Sequence, residues 1–130
     1  DAQQLAVVRR MVEDLAFPNE IVACPTVREP DGLAVSSRNA YLSASERERA
    51  TALYRALSAA RAAFQAGQRD PAAVEAAARD LLEDAPRVDP DYVALVDPAT
   101  FEPAKQAEAG QVLATAARVG RTRLIDNVIL

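Results

Sequence analysis

The chain has 130 residues, half of them apolar and 26% charged, with a net charge of −4 and no histidine. That is enough to bury the core of one ordinary domain, and the acidic balance argues against general nucleic-acid or membrane-surface binding. Without histidine, and with Cys24 as the one cysteine, the chain can assemble neither an internal disulfide nor a Ser-His-Asp triad or Cys-His dyad.

Asp1 opens directly onto an amphipathic pattern: Leu5, Val8, Val12 and Leu15 recur at helical spacing, with Asp1 placed to cap the helix, which is read to about Ala16. The absence of any lead-in suggests a piece of something longer. Phe17-Pro18-Asn19 ends the helix, and Ile21-Val22-Ala23-Cys24 reads as a short buried strand, parallel because both faces are apolar. A helix followed by such a strand is half of a βαβ unit. Cys24 reads as a buried small hydrophobe.

From Thr26 to Leu42 the chain is polar and loop-like, with a turn at Asp31-Gly32 and a short extended stretch at Leu33-Ala34-Val35. Within it, Ser36-Ser37-Arg38-Asn39 places two hydroxyls beside a guanidinium. That combination can donate to a phosphate, although the serines could equally make local turns. Arg28-Glu29 reads as a surface ion pair or a loop charge.

Ser43 with Glu46 forms a capping box for a helix carrying the stripe Leu53, Leu57, Ala60 and Phe64 and ending at Gly67. Asp70-Pro71 caps a second helix, with the stripe Val74, Ala77, Leu81 and Ala85, closed by Pro86. The period then changes to alternation. Residues 91–97, 111–119 and 122–130 read as three strands, the last two joined tightly through Gly120-Arg121 as an antiparallel hairpin. Asp126-Asn127 is expected to face solvent or the hairpin partner.

The expected architecture is therefore α+β in two parts. Residues 1–26 complete a parallel α/β sheet that lies mostly outside the chain. Residues 27–130 form a small domain of two helices packed on a three-stranded antiparallel sheet.

DAQQLAVVRRMVEDL, then IVACPTVREPDGLAVSSRNAYLS, then TRLIDNVIL resemble, in order and without large gaps, the C-terminal portion of the pantothenate synthetase (pantoate–β-alanine ligase) family. The resemblance implies a nucleotidyltransferase with a Rossmann-like lobe that condenses pantoate with β-alanine. ATP is consumed to AMP and pyrophosphate through a pantoyl adenylate, and Mg²⁺ is carried on the nucleotide. By the same resemblance Ser36, Ser37 and Arg38 contact ATP, with Arg38 a candidate stabiliser of transition-state charge. Val27 contacts the adenine side through its backbone. Asp1 closes a Gly-Glu-Lys-Asp nucleotide-binding run, and Gln4 hydrogen-bonds pantoate. Val35 sits where the family commonly has Met or Leu, and Ala2 where it often has Tyr. The family's His-x-Gly-His motif is absent, so the resemblance implies that these 130 residues are inert alone. It further implies a cytoplasmic enzyme with small-molecule substrates, no metal ligated by this stretch, no nucleic-acid or membrane partner, and a homodimer formed through the larger lobe. Two other readings stay open: a non-catalytic α+β interaction module, and a nucleotidyltransferase acting on another acid.

Overall fold

The computed structural model describes residues 1–130. Helix α1 spans Ala2–Asp14, α2 Ala44–Gln65 and α3 Pro71–Glu83, while strands β1 (Val88–Val96), β2 (Val112–Val119) and β3 (Thr122–Ile129) form one antiparallel sheet in the order β1-β2-β3. A short 3₁₀ turn, Ser37–Tyr41, interrupts the polar loop before α2.

Helices α2 and α3 start where their caps dictate. Ser43 accepts from the Glu46 N–H at 3.4 Å and its own N–H donates to the Glu46 carboxylate at 2.8 Å, closing the capping box of α2. Asp70 accepts from the Ala72 N–H, with Pro71 inside the first turn of α3. Both helices pack on one face of the sheet, α2 over β2 and β3 and α3 over β1. The core between them is aliphatic: Leu53, Leu57, Val74, Leu82, Leu95, Leu113 and Val119 are fully buried.

The stripe of α2 is the one the spacing predicts. That of α3 differs by one position: Val74, Ala78 and Leu82 are buried, whereas Leu81 is 44% exposed. Leu81 and Leu82 are adjacent, and only the angle at which α3 meets β1 selects between them. Strand β1 begins at Val88, ahead of the Asp91 expected from sequence. Pro90 looks like a strand breaker, but β1 is an edge strand, where a proline costs no ladder bond. The register shifts between Pro90 and Tyr92, leaving Asp91 unpaired in a bulge. The hairpin of β2 and β3 is closed by Gly120-Arg121, with Val119 opposite Thr122 and Gly120 at φ +60°.

The expectations for residues 21–24 need correction. They pair with no strand of this chain, and Val22, Ala23 and Cys24 are exposed. A parallel strand takes its ladder and its apolar cover from neighbours, and none of the 130 residues provides them. Helix α1 likewise buries none of its residues.

Arg28, read from sequence as part of a surface ion pair or a loop charge, and Asp126, read as a solvent-facing or hairpin residue, are instead the main tie between loop and sheet. The Arg28 guanidinium grips both Asp126 carboxylate oxygens, at 2.7 and 2.9 Å. It also donates to the carbonyls of Gly32 and Asn127 at 3.0 Å and lies 4.3 Å over the Tyr54 ring. The side chains are 18% and 3% exposed. Gly32 (φ +91°) lies so close to Tyr54 that a Cβ there would meet the ring at 2.0 Å, so no other residue fits between turn and helix.

Asp126→Ala removes the carboxylate that neutralises a part-buried guanidinium and should cost about 2–4 kcal/mol in urea unfolding; a loss below about 1 kcal/mol would show that the tie carries little of the fold. Leu82→Ala should cost about 2–5 kcal/mol and Leu81→Ala less than about 1 kcal/mol, measured the same way. Acid should also weaken the fold. The Asp31 carboxyl is held below its ordinary range first by the hydrogen bond from Arg47, Glu46 by the Ser43 N–H, and Asp97 by the N–H groups of Thr100 and Ala99. A depressed folded pKa contributes stability that is present above the unfolded value, about 4, and is lost as pH falls through the folded one. Thermal scans from about pH 6 downward should therefore give a falling midpoint below about pH 4, less steep in Asp31→Asn.

Candidate active-site loop

The loop that carries Ser36-Ser37-Arg38 is a small closed structure. Arg28 and Ala34 form an antiparallel bridge, with Glu29 N–H donating to Leu33 at 2.8 Å and Val35 N–H to Val27 at 2.9 Å. The turn between them is the expected Asp31-Gly32, where Gly32 N–H donates to Glu29 at 2.9 Å. Further ties hold the loop to its surroundings. Leu33 is buried in the core, Arg28 is bound to Asp126, and Arg47 of α2 grips the Asp31 carboxylate at 2.7 and 3.1 Å. The last pair is exposed and easily screened, so the first two dominate.

Beyond the bridge the chain turns into the 3₁₀ segment. Ser36 is its cap: the Oγ accepts from the Arg38 N–H at 3.2 Å, leaving the hydroxyl proton free to donate outward. Asn39 braces the turn from behind, its side-chain N–H donating to Ala34 at 3.0 Å while its buried Oδ1 has no partner. Ser36, Ser37 and Arg38 are exposed, and the side chains of Ser37 and Arg38 have no hydrogen-bond or ion-pair partner. An unpaired guanidinium beside two outward hydroxyls, on a braced backbone, is suited to a multiply charged anion.

The other residues singled out from sequence are placed less uniformly. Asp1 caps α1, its carboxylate accepting from the Gln4 N–H at 3.0 Å, and lines a cavity of about 150 Å³ with Gln3, Arg123, Asp126 and Asn127. Ser36, Arg38 and Asn39 line a smaller cleft on the other side of Asp126. Asp126 and its neighbour Ile125 line both the Asp1 cavity and the serine–arginine cleft. Gln4, one residue beyond Gln3, lines neither. Val27 and Val35, 71% and 56% exposed, are joined through the Val35 N–H bond to the Val27 carbonyl and lie at the mouth of the loop.

Sequence reading missed Asp126, although a signal was available. In TRLIDNVIL, period two puts Asp126 on the face of Leu124 and Val128, both buried. Its partner could not be found that way, because Arg28 is 98 residues distant. No three His, Cys, Asp or Glu side chains converge as a metal-ligand set, and no helix is long and apolar enough to cross a membrane.

Comparison with known proteins agrees along the whole chain. The family model described as pantoate-beta-alanine ligase matches residues 1–129. A pantothenate synthetase of Thermobifida fusca is 61% identical over all of this chain and 45% of its own length. The crystal structure of pantothenate synthetase from Thermus thermophilus superposes with a TM-score of 0.92 at 48% identity, covering 97% of this chain and 45% of that one. A Francisella tularensis pantoate-beta-alanine ligase, crystallised with beta-gamma ATP and beta-alanine, matches at TM-score 0.61 and 25% identity over 98% of this chain and 40% of its own. The chain spans about 45% of the length of the first curated relative it matches, and its helices and three-stranded antiparallel sheet are those of the C-terminal part of these proteins. On this combined evidence of sequence and fold, the chain belongs to the pantoate–β-alanine ligase family.

Proposed function

We propose that this chain is the C-terminal part of an ATP-dependent ligase that joins pantoate to β-alanine in pantothenate biosynthesis. The observation that supports it most directly is the braced, outward-facing Ser36-Ser37-Arg38 segment in a chain that matches the family over residues 1–129. In this reading residues 1–26 belong to the nucleotide-binding lobe and residues 27–130 form a lid over it.

The chemistry sets what such a lid must do. An oxygen of the pantoate carboxylate attacks the α-phosphorus of ATP; the bond to the bridging oxygen breaks and pyrophosphate leaves with its electron pair. The amine of β-alanine then attacks the acyl carbon of the adenylate, AMP departs, and the amine gives up a proton to solvent. The first step brings a carboxylate against a polyanion, so fixed donors and cations are the main resource. Ser37 and Arg38, with no partner inside the chain, and Ser36, with a free hydroxyl proton, would bind the phosphates, Arg38 taking up charge as pyrophosphate leaves. The Val27 backbone and the Val35 side chain would flank the nucleotide, Asp1 would bind it from the other lobe, and Gln4 would hold pantoate. Mg²⁺ would arrive on the triphosphate, because the side chains at this loop are hydroxyl and guanidinium groups, which offer a cation no ligand cage; no step is assigned to it. The complete protein is read as a cytoplasmic homodimer assembled through the other lobe, and this chain as inert alone.

The test is made in the full-length gene product. Arg38→Ala should lower the rate of pantoyl-adenylate formation about 10²–10³-fold while leaving the melting temperature within a few degrees. Lost stability with intact adenylation would return Arg38 to a structural role. The purified 130-residue chain should form no pantothenate from ATP, pantoate and β-alanine, and turnover by it would overturn the assignment of essential groups to the other lobe.

A further inference from the structure

Resting on the ligase reading above, a second basic element lies beside Arg38. Arg38 and Tyr41 of the loop share one open concavity with Arg121, Thr122 and Arg123 of the β2–β3 hairpin, although the two segments are far apart in the chain. Tyr41 is 78% exposed at its edge. Arg123 also lines the adjoining cavity that holds Asp1 and Gln3. It therefore stands between the two places where sequence put nucleotide contacts.

The hairpin carries this charge at a cost. Arg123 sits directly opposite Arg118 across the β2–β3 ladder, a like-charge pair that destabilises a sheet. Asp91, freed by the β1 bulge, offsets it only in part: its carboxylate accepts from Arg123 Nε and lies 3.9 Å from Arg118 Nε. The terminal amino groups of Arg123 have no partner within the chain, nor does any side-chain nitrogen of Arg121. The other carboxylate nearby, Glu46, packs against Gly120 and is already held by the Ser43 N–H and hydroxyl. In a chain of net charge −4, Arg38, Arg121 and Arg123 thus converge, and the one carboxylate that engages any of them takes only the Nε of Arg123.

We propose that Arg121 and Arg123 form, with Arg38, a binding subsite for the β- and γ-phosphates of the nucleoside triphosphate, and hence for the pyrophosphate that leaves. Arg123 is oriented by Asp91 and presents its terminal donors as a fork suited to two phosphate oxygens. Arg121, at the tip of the turn, adds a freely moving charge at the open end. The hairpin would then retain pyrophosphate after the α-phosphorus has been attacked, so its arginines bind substrate and product and are not asked to act on the reacting atoms.

The experiment compares Arg121→Ala, Arg123→Ala and Arg123→Lys in the full-length gene product, reading KM for ATP, inhibition by inorganic pyrophosphate, KM for β-alanine and melting temperature. Arg123→Ala should raise both KM for ATP and the inhibition constant for pyrophosphate about tenfold or more, with Arg123→Lys recovering part of the loss. Arg121→Ala, whose side chain has no partner to lose, should raise both about threefold at unchanged melting temperature. KM for β-alanine should stay as it was in all three. If Arg121→Ala and Arg123→Lys both keep wild-type values for ATP and pyrophosphate while Arg38→Ala loses adenylation, the subsite is overturned and the ligase reading stands. A folded wild-type protein that neither forms adenylate nor binds pyrophosphate overturns both.

Discussion

The placement of the loop depends on one buried ion pair. Arg28 is bound by the two oxygens of Asp126, by two backbone carbonyls and by the face of Tyr54, so both terminal amino groups of its guanidinium are fully engaged. A buried pair of this kind gives little net stability compared with apolar residues of the same volume. What it does give is position. The charges can be matched only when the turn at Gly32, the last strand and α2 stand in one arrangement, and Ser36–Arg38 follows within a few residues of that anchor. A loop held only by Leu33 in the core could slide; a forked guanidinium on a carboxylate has far less latitude.

The same pair organises the surroundings of the site. Asp126 lines both the cavity under Asp1 and the cleft of Ser36 and Arg38, and its charge is matched by Arg28. It therefore repels an incoming polyanion much less than a free carboxylate would. Asp91 and Glu46, the other acids close by, are likewise engaged. The acidic character of the chain as a whole is thus suppressed where the loop and hairpin meet, and Arg38 and Arg121, neither with a partner in the chain, both lie there. Net charge speaks only to the chain as a whole and says nothing about a local field of this size.

Local signals were legible where the physics is local. The capping box at Ser43, the Asp70-Pro71 start, the Asp31-Gly32 turn and the two-residue hairpin each depend on a few adjacent residues, and each is present. Readings that needed a neighbour fared worse. The apolar run at residues 21–24 has no strand beside it, the stripe of α3 turned on how the helix meets β1, and β1 starts at Val88, ahead of the expected Asp91, taking in a proline that an edge strand tolerates.

From the amino-acid order alone came the α+β class, the helix starts, the three alternating strands and the serine–arginine segment as an anion-binding candidate, because each is encoded by contacts spanning at most a few residues. Tertiary structure alone decided that Arg28 and Asp126 meet across 98 positions, that Arg123 comes to Arg38, and that Leu82 and not Leu81 is in the core. Those outcomes turn on where separate elements come to rest against one another, and side-chain burial and charge pairing have no value until that packing exists.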